Sequence, residues 1–104
     1  MEKFAFVMQL MPDCEAEYEK RHDEIWPELS EALKCAGVFD YSIFHDSTTN
    51  ALFAVLKRTD DHTMGQLPIE PIVKKWWSYM ADIMETNEDN SPVVRDLNKV
   101  FHLD

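Results

Sequence analysis

Four histidines, His22, His45, His62 and His102, are the side chains best suited to gain and lose a proton near neutral pH. No two of them stand at the spacing that brings two ligands to one metal ion, and Cys14 and Cys35 form no metal or redox motif. The sequence therefore implies no metal. His22 is the histidine placed to do chemistry, because it follows Tyr18 by one helical turn and lies on the inward stripe of its helix. An ordinary imidazole titrates at about 6.5, which suits acid–base catalysis without implying it. The plainer alternative is a core histidine satisfied by one hydrogen bond.

Aromatic residues surround this candidate in the sequence pattern. Trp76 and Trp77 are adjacent, so on a helix they point about 100° apart and cannot serve one face equally. One can be core while the other reaches a pocket edge. Tyr41 alternates with Phe39 and Ile43 and is expected on their face of a strand. A histidine, two tyrosines and two tryptophans are the materials of a sugar site. Aromatic faces cover the C–H surface of a pyranose, while hydroxyl and indole N–H groups fix its orientation. Each of these residues also has a plain packing role open to it.

The elements that must position them follow from periodicity. Lys3 to Leu10 alternates as a strand, with Phe4, Phe6, Met8 and Leu10 on one side. Met11-Pro12-Asp13 stops it, and Asp13 is expected to cap a helix starting near Cys14. Tyr18, His22, Ile25 and Leu29 keep helical spacing, but Pro27 disfavours helix at Trp26. A corner at Ile25-Trp26 is expected, then a second helix from Pro27 to Gly37. Val38 to His45 and Ala51 to Lys57 flank turn residues and read as a hairpin. Thr59 to Pro71 allows a short helix at most. Ile72 to Glu85 is a strong helix, Asn87 to Pro92 a loop in which Ser91-Pro92 could cap one helical turn, and Val100 to Leu103 is expected to be the last strand.

The resulting order, βαββαβ, is the α+β ferredoxin-like pattern, in one domain over residues 1–104. Its helices cover one face of an antiparallel sheet. The first and third strands are apolar on both faces, so the other face needs cover, and a second copy of the sheet is the simplest cover. A homodimer is expected, against the alternative of a monomer with a half-apolar sheet left bare.

Charge narrows the partners. Twenty acidic residues against ten basic ones give a net charge of −10, which opposes nucleic acid and anionic lipid surfaces. With only two glycines, the chain has no glycine-rich phosphate loop. A small neutral molecule fits best. The N-terminus does not resemble a signal peptide and no apolar run approaches a membrane span, so a cytoplasmic protein with two free thiols is expected.

Several stretches together resemble one family. They are Phe6-Val7-Met8-Gln9, Tyr18-x2-Arg21-His22-x3-Trp26-Pro27-Glu28-Leu29, Tyr41-Ser42-Ile43-Phe44, Trp76-Trp77-x-Tyr79-Met80 and Asn87-x2-Asn90-Ser91-Pro92. In order and spacing they resemble the L-rhamnose mutarotases over nearly the whole chain. The resemblance implies a dimeric ferredoxin-like fold, the dimeric α/β-barrel type, and interconversion of the α and β anomers of L-rhamnose without a cofactor. It implies that His22 is the proton donor and that Tyr18, Tyr41, Trp76 and Trp77 bind substrate. Thr59 to Pro71 departs from the helical segment such proteins have there.

Mutarotation needs one proton delivered to the ring oxygen and one removed from the anomeric hydroxyl. His22 as imidazolium is expected to protonate the ring oxygen, with Tyr18 or a held water as the second group. The same dimeric fold also hosts cofactor-independent monooxygenases and small-ligand-binding modules, which are the rival readings.

Overall fold

A computed structural model describes residues 1–104. Strand β1 (Glu2–Gln9) leads to helices α1 (Glu15–Asp23) and α2 (Pro27–Cys35). Strands β2 (Val38–His45) and β3 (Ala51–Arg58) form the hairpin, and helix α3 (Pro71–Met80) and a two-residue strand β4 (Arg95–Asp96) complete the chain. The sheet is antiparallel throughout, in the order β2-β3-β1-β4. That order is the ferredoxin-like one, with sequential strands β1 and β2 separated by β3.

Alternation along the strands sorts the two faces of the sheet. Phe6, Met8 and Leu10 of the β1 segment and Leu52, Ala54 and Leu56 of β3 belong to the main core, together with Leu29, Val73, Trp76 and Met80 from the helices. Leu10, Leu52 and Leu56 are fully buried. The opposite face carries a cross-strand row in which Val7 pairs with Phe53 and Phe53 with Phe44. No helix of the chain covers that row: Phe44 is 64% exposed and Phe53 39%.

The corner at Trp26 forms as the proline requires. Trp26 has extended backbone, and Pro27 starts α2 where a missing N–H costs nothing. The turn after α2 needs Gly37, whose φ is +85° and whose Cα lies against Thr59 and His62, leaving no room for a side chain. The segment before α3 contains a 3₁₀ helix, Met64–Ile69, with Pro68 inside it.

Four local expectations are corrected. Asp13 does not cap α1: it lies one residue before the N-cap Cys14 with φ +63°, and no side-chain cap bond is made. Helix α3 ends at Met80 rather than Glu85, because its continuation is tied to the end of β1 instead. Met11 N–H donates to the Ile83 carbonyl, and Glu85 N–H to the Gln9 carbonyl. Ser91-Pro92 starts no helical turn; Pro92 is bridged to Thr86 as the chain approaches the sheet. The last strand is Arg95–Asp96, not Val100–Leu103. The short upstream strand already occupies the edge of β1 where the last strand is expected, and Val100 is 94% exposed.

Candidate active site

A cavity of about 1340 Å³ opens between the helical layer and the inner face of the sheet. It exceeds the roughly 300–1,000 Å³ of ordinary small-molecule sites, leaving room for a monosaccharide and water. His22, Tyr18, Tyr41, Trp76 and Trp77 are all among the residues that line it, and direct ring contacts join Tyr18 to His22 and His22 to Trp76. Apolar side chains including Phe6, Met8 and Ile43 form much of the remaining wall.

Helix α1 supplies Tyr18 and His22 four residues apart, one turn of helix. Their rings stack at 4.2 Å between centroids and 29° between planes. The Nδ1 atom of His22 is 2.9 Å from the carbonyl oxygen of Tyr18. A carbonyl can only accept, so Nδ1 carries the hydrogen and donates it. In the neutral ring the lone pair is then on Nε2, which has no protein partner. Burial pushes the His22 imidazole below its ordinary value, against weaker upward pulls from the Tyr18 carbonyl and the Asp23 carboxylate. Burial thus favours the neutral ring over the imidazolium.

The two phenols are held as neutral hydroxyls. Burial drives the Tyr18 phenol well above its ordinary range, and the neighbouring Tyr41 adds to the shift. Burial of the phenol pushes Tyr41 up to about 12, although the residue as a whole is 37% exposed. No sealed side-chain polar atom lacks a hydrogen-bond partner. The Tyr18 hydroxyl, which no protein group engages, is therefore not sealed off, and Tyr18 and Tyr41 both line the cavity.

Trp76 and Trp77 divide as their angular separation requires. Trp76 is buried, and its ring meets His22 edge-on at 5.3 Å and Trp26 edge-on at 5.1 Å. Trp77 is half-buried at the rim of the core. Tyr41 shares the cavity face with Ile43 as expected, but Phe39 does not stand in the same register. Phe39 pairs with Lys57, on the row of Val55 and Phe53, because the pairing shifts between Phe39 and Ser42.

Sequence reasoning gives no role to Tyr79, Arg21 and Asp82, which pack behind this wall. Tyr79 stacks on Trp26 at 5.4 Å and leans on Trp76 at 5.7 Å. The Arg21 guanidinium lies 4.5 Å above the Tyr79 ring. It donates to the Tyr79 carbonyl at 2.8 Å, to both oxygens of Asp82 at 2.9 and 3.2 Å, and through Nε to Glu17 at 2.7 Å. The signals were Glu17 and Arg21 at i, i+4 and Trp76 and Tyr79 at i, i+3.

No cluster of three or more histidine, cysteine or acidic side chains is placed to hold a metal ion. The site joins the half-buried His22, two neutral phenols and aromatic walls, and His45, His62 and several carboxylates also line the cavity. Such an arrangement can bind a neutral polyol and move a proton along it.

The family model for L-rhamnose mutarotase matches residues 3–103. The chain belongs to the L-rhamnose mutarotase family. It is 63% identical to an L-rhamnose mutarotase of Rhizobium johnstonii, over 99% of this chain and 97% of that one. It is 59% identical to one of a Jannaschia species, over 99% of each chain. The crystal structure of an L-rhamnose mutarotase from Formosa agariphila superimposes with a TM-score of 0.93 at 48% identity, covering 100% of both chains. The family's chemistry is that of an isomerase acting on a sugar, and the enzymatic reading of the sequence holds.

Proposed function

We propose that this member of the L-rhamnose mutarotase family interconverts the α and β anomers of L-rhamnose with His22 as a single proton shuttle. The supporting observation is the Nδ1–H bond to the Tyr18 carbonyl, which leaves Nε2 as a free base in the cavity. Nε2 takes the proton from the anomeric hydroxyl. The C1–O1 bond gains double-bond character as the bond from C1 to the ring oxygen breaks, its electron pair going to that oxygen. The imidazolium then gives its proton to the ring oxygen, producing the open aldehyde and restoring neutral His22. Rotation about C1–C2 and the reverse steps on the other face of the aldehyde complete the exchange.

The sequence had His22 begin as imidazolium. The lowered affinity for a proton favours a neutral start, with the imidazolium formed during the reaction. Both sugar oxygens are bonded to C1, so one nitrogen can reach each in turn. Tyr18 and Tyr41 donate hydrogen bonds to sugar oxygens from their neutral phenols. Trp76 covers the apolar face of the ring and Trp77 binds at its edge from the rim.

We also propose a cytoplasmic homodimer built from one domain over residues 1–104. The exposed Phe44 and Phe53 on the outer face of the sheet and the apolar Val100, Phe101 and Leu103 support the dimer. The two free cysteines suit a reducing compartment, and no helix is long and apolar enough to cross a membrane.

Saturation-transfer NMR on L-rhamnose, with catalytic amounts of wild type and of His22→Ala, tests the reaction. Accelerated anomer exchange by wild type and its loss in the folded variant are expected. No acceleration by wild type would leave a sugar-binding module in place of the enzyme.

A further inference from the structure

Side chains on a regular strand alternate between faces, and β3 keeps that rule. Leu52, Ala54 and Leu56 are buried on the inner face, while Phe53, Val55 and Lys57 stand on the outer one. Strand β2 pairs with it in two registers. Val38 and Phe39 lie opposite Arg58 and Lys57, whereas Ser42 and Ile43 lie opposite Val55 and Ala54. Between those pairs β3 contributes only Leu56, but β2 contributes both Asp40 and Tyr41. This is a β-bulge.

The extra residue changes which way Tyr41 points. Val38 is buried on the inner face. Strict alternation from Val38 would send Phe39 out, Asp40 in and Tyr41 out. With one residue absorbed, Tyr41 instead enters the cavity, its ring 6.4 Å from that of Phe6 and nearly perpendicular to it. The left-handed backbone is at Asp40, where φ is +47°. Among residues with a side chain, aspartate and asparagine enter that region most readily. The Asp40 carboxylate lies 3.5 Å from the Lys57 ammonium, but both groups are well exposed, so this ion pair contributes little.

We infer that Asp40 is a positioning residue for the sugar site: its left-handed backbone forms the bulge that turns Tyr41 from the outer face of the sheet into the cavity. The inference rests on the proposed role of Tyr41 as a sugar contact. A backbone role predicts that any residue at ease in the left-handed region will serve, and that a β-branched residue will not.

The test uses Asp40→Asn, Asp40→Gly, Asp40→Ala, Asp40→Val and Tyr41→Ala in the full chain. One readout is the NOE between the Tyr41 and Phe6 rings. The other is KM for L-rhamnose from the concentration dependence of anomer exchange. Asp40→Asn and Asp40→Gly should keep the NOE and the wild-type KM. Asp40→Val should lose the NOE and raise KM about tenfold, the scale of one lost hydrogen bond, to the level of Tyr41→Ala. The Asp40→Val/Tyr41→Ala double variant should raise it no further. If the valine variant does not fold, a weakened NOE and raised KM in Asp40→Ala carry the same conclusion. An intact NOE in folded Asp40→Val, or in Asp40→Ala when only that variant folds, overturns the inference. So does a loss in Asp40→Asn equal to that in Asp40→Val. Loss of the NOE with no effect of Tyr41→Ala on KM would instead remove Tyr41 from sugar binding and leave the bulge as the device that aims its ring.

Discussion

The His22 ring rests on the ring of Tyr18 and also donates its Nδ1 hydrogen to that residue's carbonyl 2.9 Å away. One residue thus fixes both the plane and the tautomer of the imidazole. This fixes the sign of the pH dependence. A base acts in its deprotonated form, and burial lowers the His22 pKa. The rate of anomer exchange per enzyme should rise with pH through a midpoint below about 6.5 and then level, rather than fall across neutrality. Exchange rates measured from acid to neutral pH, with folding followed by circular dichroism, check this. A rate that declines as pH rises through that range would mean that His22 must start as imidazolium.

Trp76 and Trp77 should separate into different phenotypes. Trp76 is 8% exposed and touches His22, Trp26 and Tyr79. Trp76→Ala should cost about 3–5 kcal/mol of stability, the usual range for a truncated core aromatic, and weaken sugar binding as well. Trp77→Ala should raise KM with a much smaller change in midpoint on denaturant titration. Equal stability losses with unchanged KM would make the pair core residues only.

Much of this arrangement was legible because it depends on short-range rules. The i, i+4 spacing of Tyr18 and His22 puts both on one stripe, and Pro27 forces the corner that brings Trp26 toward α3. The order of elements gave the sheet its topology. What was hidden depends on partners far away in sequence. The alternation of Tyr41 with Ile43 holds, whereas that with Phe39 fails at the bulge, and only pairing with β3 reveals it. Composition favours Val100 to Leu103 as the fourth strand, whereas Arg95 and Asp96 have the register opposite Val7 and Phe6. The tether of Arg21 to Asp82 spans 61 residues, and no local pattern announces it.

That tether predicts a stability effect with a pH signature. The Arg21 side chain is nearly buried and joins α1 to the end of α3. Arg21→Ala should destabilise the protein by about 2 kcal/mol, the scale of a lost charge-assisted hydrogen bond with its stacking, while Arg21→Lys recovers only part. The hydrogen bond from Arg21 holds the Asp82 carboxyl below its ordinary value. A carboxylate with a lowered folded pKa adds stability above its unfolded pKa, and that stability is lost as pH falls through the folded one. The gap between wild type and Arg21→Ala in thermal midpoint should therefore narrow in acid below about pH 4. A gap that stays constant on acidification would place the effect in packing alone.

The outer face of the sheet yields the last prediction. Val7, Phe53 and Phe44 form one apolar row across three strands, and charge is absent until the row reaches Arg95 on β4. Val7 is already buried within the chain, so a second copy of the face would bury Phe53 and Phe44 at about 25 cal/mol per Å² of apolar surface, and a charge there would oppose it. Phe44→Lys and Phe53→Glu should each shift the sedimentation coefficient from dimer toward monomer. Both substitutions lie on the side of the sheet away from His22, so the monomer they release should keep its secondary structure. A wild type that sediments as a monomer would show that the row is tolerated bare. Variants that remain dimeric would place the contact on another surface, with the apolar residues Val100, Phe101 and Leu103 the next to be substituted.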